Sequence, residues 1–181
     1  MTRTVPPPGA SNVEDVEGRP LLAVLHGVNL GLLGERPAAH YGTLSLLELE
    51  RLVTEEAERL GWTCACHQTD HEGAYVELIH SYRRTAAAVI VNPGAWTHYS
   101  YAIRDALELV EGPVAEVHLS DIERREEWRR VSVVADVASV RIMGLGPQGY
   151  VQAVHELVDR VQEARQRGEG VRNGAEDKRA G

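Results

Sequence analysis

Ala86-Ala-Ala-Val-Ile-Val91 followed by Asn92-Pro-Gly-Ala-Trp-Thr-His98 decides the fold. An unbroken apolar run gives way at once to Asn, Pro and Gly, the pattern of a strand buried on both faces that opens into a loop. A second such end, Glu116-Val-His-Leu-Ser120, closes the run that begins at Val114. In α/β proteins, ligands bind outside the carboxyl ends of parallel strands. Two polar, histidine-bearing strand ends near each other in sequence therefore imply one shared pocket and an enzyme.

The same alternation extends outward in both directions. Leu21–Leu25 reads as a buried strand. Ser45-Leu-Leu-Glu48 has capping-box spacing and opens an amphipathic helix carrying Leu46, Leu49, Leu52, Val53 and Leu60, which Gly61 ends. Trp62–His67 is the next strand, and a helix from about Gly73 to Arg84 leads into Ala86–Val91. A helix over Thr97–Val110, the strand Val114–Leu119, a short helix around Glu123–Arg129, the strand Val137–Met143 and a closing helix Gln148–Gln166 complete the pattern. Five strands alternating with helices predict right-handed crossovers and an α/β fold. The expected form is a flavodoxin-like three-layer arrangement with a five-stranded parallel sheet in the order 2-1-3-4-5. Residues 1–19, with Pro6-Pro-Pro8, and residues 166–181 are charged or Gly-rich without apolar periodicity, which predicts disordered tails around a single catalytic domain at 20–165.

Composition narrows the partners. The chain has 181 residues, 43% hydrophobic and 25% charged, enough to bury the core of one domain. A formal charge of −8, from 27 acidic against 19 basic residues, argues against nucleic acid, which needs a concentrated basic surface. It favours a small-molecule substrate. An anionic one would need local Arg or His working against the global field. No stretch approaches the apolar length of a membrane span and the start lacks a secretory core, so the expected location is cytoplasmic, with no membrane partner.

Three motifs carry less than they suggest. Gly144-Leu-Gly-Pro-Gln-Gly149 matches G-x-G-x-x-G between a strand and a helix, but no further strand with an acidic end follows it. Its glycines read as tight strand-to-helix packing. Gly27-Val-Asn-Leu-Gly-Leu-Leu-Gly34 lacks the Gly-Lys-Ser/Thr ending of a phosphate cradle. Cys64 and Cys66 with His67 and His71 lack Cys-x-x-Cys spacing, and the two cysteines read as buried thiols rather than a metal site or a disulfide.

The segment from Asn29 to Tyr41 reads as a loop long enough to be a lid, and it carries Arg36 and Tyr41. A tyrosine has a pKa near 10, too high for a base at neutral pH, but a guanidinium beside it favours the tyrosinate. Lowering that value by about two units takes roughly 2.7 kcal/mol, reasonable for a close cation in a water-poor site.

Seven segments occur in register: Asn29-Leu-Gly-Leu-Leu-Gly-x-Arg36-x4-Tyr41-Gly42, His67-Gln-Thr-Asp-His-Glu-Gly73, Asn92-Pro-Gly-Ala-x-Thr-His98, Ala102-Ile-Arg-Asp105-Ala, Glu116-Val-His-Leu-Ser120, Arg125-Glu-x-x-Arg129 and Gly144-Leu-Gly-x-Gln-Gly-Tyr150. Together, from Leu21 to Asp159, they resemble the type II 3-dehydroquinate dehydratases. The resemblance implies a lyase that dehydrates 3-dehydroquinate to 3-dehydroshikimate without metal or organic cofactor. It also implies a homo-oligomer, a dodecamer built as a tetramer of trimers.

By resemblance Tyr41 is the base, Arg36 the cation that activates it, and Asn29 the holder of a water on the enolate oxygen. His118 is the acid for the departing hydroxyl, and Glu116 orients it. Asn92, His98, Ser120, the backbone at Leu119, and Arg129 hold the substrate's hydroxyls and carboxylate, while Asp105 reaches a neighbouring subunit's site. The chain also departs from the family. Asn-Gly-Pro-Asn reads His26-Gly-Val-Asn29, Arg-Glu-Pro reads Arg36-Pro-Ala38, Asp121 replaces Asn, Val140 replaces Gly, and Trp96, Tyr99 and Tyr101 enlarge the segment around His98. Two other readings keep the fold: a non-catalytic binder of small acids, and a dehydratase of a related cyclic hydroxy acid.

Overall fold

Apolar runs bounded by turn residues place five parallel strands side by side, and the amphipathic segments between them cover both faces. A computed structural model of the chain describes residues 18–35 and 43–168. The elements are β1 (Leu21–His26), α1 (Leu46–Arg59), β2 (Thr63–Gln68), α2 (Glu72–Tyr82), β3 (Ala88–Asn92), α3 (Tyr101–Leu107), β4 (Val114–His118), β5 (Val140–Met143) and α4 (Gln148–Gln166). Their sheet order is β2-β1-β3-β4-β5, all parallel, as the alternation predicts. Most of both predicted tails, and Arg36 to Gly42 of the lid loop, lie outside the described residues.

Side-chain alternation along the strands divides the core into two layers. Leu22 and Val24 of β1, Ala88 and Ile90 of β3, and Ala115 and Val117 of β4 pack against α1 and α4. Ala23 and Leu25, Val89 and Val91, and Val114 pack against α2 and α3. The predicted capping box forms: Ser45 Oγ accepts from the Glu48 amide and Glu48 Oε2 accepts from the Ser45 amide. Gly61, at φ +80°, ends α1 in a Schellman turn. The amide of Trp62 reaches the Ala57 carbonyl, and that of Gly61 reaches Glu58.

Two expected helices differ. Thr97–Val110 is not one helix, because the Thr97 carbonyl is taken by the amide of Val133. Gly94–His98 instead forms a 3-10 turn, and α3 begins after Ser100, whose Oγ caps the Ile103 amide. Glu123–Arg129 is two 3-10 turns, Ile122–Arg124 and Glu127–Arg129, because Arg125 and Glu126 between them are extended. The Cys64, Cys66, His67, His71 grouping does not form. His67 faces away from the thiols and its Nε2 lies 2.5 Å from Tyr82 Oη.

Candidate active site

The strand order reverses direction at the β1/β3 boundary, and there the sheet's carboxyl end opens into a cleft. Close backbone approach builds its floor. The Gly27 amide donates to the Asn92 carbonyl, and a Cβ at Gly27 would sit 2.4 Å from the Pro93 carbonyl oxygen. Gly94, at φ +65°, would place a Cβ 2.6 Å from the Val28 carbonyl oxygen. No side chain larger than hydrogen fits at either position.

Asn29, Asn92, His98, His118, Leu119, Ser120 and Arg129 all line this cleft, so seven of the sequence-predicted residues meet in one place. Glu116 lies directly beneath His118. Asp105 does not join them: it is exposed on α3, with its carboxylate 3.7 Å from Arg104. Arg36 and Tyr41 fall outside the described residues.

Asn29 is the one non-glycine at positive φ among the described residues, a conformation that Asn tolerates better than most. Its amide donates to Asp70 Oδ1 at 2.7 Å, and Gln68 Nε2 donates to the same oxygen and to the Gly27 carbonyl. The end of β2 thereby fixes the start of the lid loop. Asn92 is held on both sides, its Nδ2 donating to Tyr150 Oη and its Oδ1 accepting from the Gly94 amide.

Glu116 is fully buried on β4 and strongly hydrogen-bonded. Oε1 accepts from Thr97 Oγ1, Ser132 Oγ and His118 Nε2, and Oε2 accepts from Arg141 Nε, its register partner on β5. Burial alone would raise its pKa. The donors, with the charge of His118, outweigh that and bring the carboxyl down to about 2. An ionised carboxylate can only accept, so His118 Nε2 carries a proton, and Nδ1 has no partner among the described residues. That is the arrangement of an imidazole poised to donate or accept at one atom.

His98 is oriented differently. Its Nδ1 donates to the Val131 carbonyl at 2.7 Å, which leaves the lone pair on Nε2. Burial lowers its pKa and the Val131 carbonyl opposes, while His118 and Arg129 lower it further, so His98 is a neutral acceptor. Trp128 stands edge-on to His98 at 5.4 Å, and the Arg129 guanidinium lies 4.0 Å from the centre of the Trp128 ring.

The cleft has a second cation that sequence reasoning missed as a site residue. Arg125 lines it beside Arg129, with Nη1 3.4 Å from Ser120 Oγ, and both guanidiniums approach Glu126 Oε2. Its signal was present in Arg125-Glu-x-x-Arg129. Thr97, Ser132 and Arg141 were also missed. Only Thr97 stood in a quoted motif, and the other two reach Glu116 through tertiary contacts. Of the departures expected to alter the pocket, Trp96 is buried against Tyr75, Tyr99 and Tyr101 are exposed, and Asp121 caps the Ile122–Arg124 turn. None of the four lines the cleft.

Comparisons with known proteins agree in direction. The family model described as dehydroquinase class II matches residues 20–158. A Syntrophotalea carbinolica protein named 3-dehydroquinate dehydratase is 47% identical over 128 residues, covering 70% of this chain and 86% of that one. One of the same name from Pelotomaculum thermopropionicum is 47% identical over 133 residues, covering 74% and 92%. The crystal structure of type II dehydroquinase from Propionibacterium acnes superposes with a TM-score of 0.74 at 40% identity, over 77% of this chain and 96% of that one. Fold and matches together define an α/β hydro-lyase. The chain belongs to the class II dehydroquinase family.

Proposed function

We propose that the chain removes water from 3-dehydroquinate to give 3-dehydroshikimate in the cleft at the ends of β1, β3 and β4. The observation that carries this reading is the buried Glu116–His118 pair, whose free imidazole nitrogen shares a cleft with two arginines. Losing water from a β-hydroxy ketone needs an α-proton removed, an enolate stabilised and a departing hydroxyl protonated.

Tyr41, activated by Arg36, takes the α-proton, an assignment that rests on the sequence resemblance. The C–H electron pair becomes the enolate, and Asn29 holds a water hydrogen-bonded to its oxygen. As the carbonyl reforms, a carbon–carbon double bond forms and the β C–O bond breaks. His118 delivers its Nδ1 proton so that hydroxide leaves as water. Glu116 remains ionised throughout and stabilises the imidazolium. Neutral His98 accepts from a substrate hydroxyl through Nε2, Asn92, Ser120 and the Leu119 backbone position others, and Arg129 with Arg125 pairs the carboxylate. No step calls on a metal or organic cofactor.

Asp105 is assigned to a neighbouring chain's cleft within a homo-oligomer, a dodecamer whose mass sedimentation would check. The reading places the enzyme in the cytoplasm, in aromatic biosynthesis or quinate breakdown. The deciding experiment incubates purified protein with 3-dehydroquinate and follows the near-ultraviolet absorbance of the conjugated enone. Wild type turns over, and Tyr41→Phe and His118→Ala each lose roughly 100-fold or more. Thermal stabilisation by the substrate without turnover would refute the reading and leave a binding protein in its place.

A further inference from the structure

On the α1/α4 face, one pleat from the cleft, a buried nitrogen stands without a partner. His26 ends β1 at 0% exposure. Its Nδ1 lies 3.3 Å from Tyr150 Oη, but its Nε2 makes no hydrogen bond among the described residues. Buried polar atoms are rarely left this way, and each such case asks for an unseen partner.

Three donors converge there. A ring nitrogen of His26, a carboxylate oxygen of Glu50 and Sγ of Cys66 all lie within 4.8 Å of one another, and Cys64 Sγ lies 3.7 Å from Cys66 Sγ. With Nδ1 turned to Tyr150, the nitrogen left to bind a ligand is Nε2. Strand geometry explains the meeting. Cys64 and Cys66 alternate onto one face of β2, the register pairs Cys66 with Val24, and His26 is the next residue of β1 on that same face. Two thiolates bound to one tetrahedral Zn²⁺ at about 2.3 Å each stand roughly 3.8 Å apart, so the sulfur pair already has the required spacing.

We propose that His26, Glu50 and Cys66, with Cys64 as fourth donor, form a binding site for a thiophilic divalent ion of the Zn²⁺ class, separate from the substrate cleft. Its surroundings fit such an ion. The two thiols are half-buried at the base of a solvent-open groove between α1 and β2. Glu48, Glu50, Glu55 and Glu58 line that groove against Arg51, which is itself paired with Glu55, so the local field draws cations inward. Tyr150 on the far nitrogen of His26 is the kind of outer partner that fixes a metal-bound imidazole. Binding exchanges the two thiol protons for two metal–thiolate bonds. The protons leave to solvent and nothing is oxidised or reduced.

The ion would also sense the active site. Tyr150 Oη accepts from Asn92, so His26, Tyr150 and Asn92 link the ion to the cleft floor.

The test uses the reduced, chelator-treated full chain titrated with Co²⁺, then competed with Zn²⁺. One ion per chain is expected, with a thiolate-to-Co²⁺ charge-transfer band and the intense visible bands of tetrahedral coordination, all erased by Zn²⁺. Glu50→Gln, at a half-buried position of α1, and Cys66→Ser should each weaken binding roughly 100-fold or more, since even an outer partner's loss costs about 10–100-fold. Absence of the band in wild type overturns the proposal, as does a band of unchanged affinity in Glu50→Gln and His26→Asn. The readout is the ion's spectrum, so its failure leaves the dehydratase reading standing, and a failed turnover assay leaves this one standing.

Discussion

Replacing His26 with Asn should remove much of the protein's sensitivity to mild acid. His26 is wholly enclosed, and burial, followed by the charge of His67, lowers its pKa from 6.5 to about 3. The folded value lies below the unfolded one, so between them the unfolded chain binds a proton that the folded chain refuses. The folded state's advantage from a neutral His26 is complete above pH 6.5 and falls as pH drops toward 3. Each pH unit costs about 1.4 kcal/mol, and the whole window about 5 kcal/mol. Asn cannot titrate, so this slope is absent from the variant whatever its stability at neutral pH. Urea unfolding of wild type and His26→Asn, with chelator present, measures the difference directly. Between pH 6.5 and about 4 the gap between the two proteins should change by about 3 kcal/mol in the variant's favour. Parallel stability curves across that range would show that His26 is not held neutral by burial.

Other outcomes follow from the same contacts. Arg125→Ala should raise KM about 10-fold or more while changing kcat less, if it removes the charge-assisted contact proposed for the substrate's carboxylate; steady-state kinetics against Arg129→Ala would compare the two cations. Glu116→Gln should lower kcat by about 10–1,000-fold with little change in KM, because the imidazolium loses its buried anion, and stopped assays with purified variant check it. Gly27→Ala should lower Tm by several degrees. Its Cβ would meet the Pro93 carbonyl oxygen at 2.4 Å, an overpacking that costs about 1–3 kcal/mol and that calorimetry can read.

The fold was legible because its signals are local. Ser45 and Glu48 stand three residues apart, Gly61 follows the last apolar position of α1, and β1 and β3 announce themselves as continuous apolar runs. The start of α3 was not legible, since it depends on Val133 capturing the Thr97 carbonyl from 36 residues away. The site divides along the same line. Asn92, His98, Glu116, His118 and Ser120 were visible as polar strand ends. Ser132 and Arg141 were not, because they reach Glu116 from loops and an edge strand 16 and 25 residues on, where no periodicity points. His26 read only as an oddity in the Asn29 motif until β2 was placed beside it.

The glycine-built floor sets a rule for anyone reshaping this pocket. Where the ends of β1 and β3 touch backbone to backbone, there is no side chain to exchange, and any library of variants spent there samples destabilised chains. Room for a differently shaped acid has to come from the opposite wall, the stretch from Ser120 to Arg129, which is made of side chains on single-turn helices and can be recut without parting the sheet.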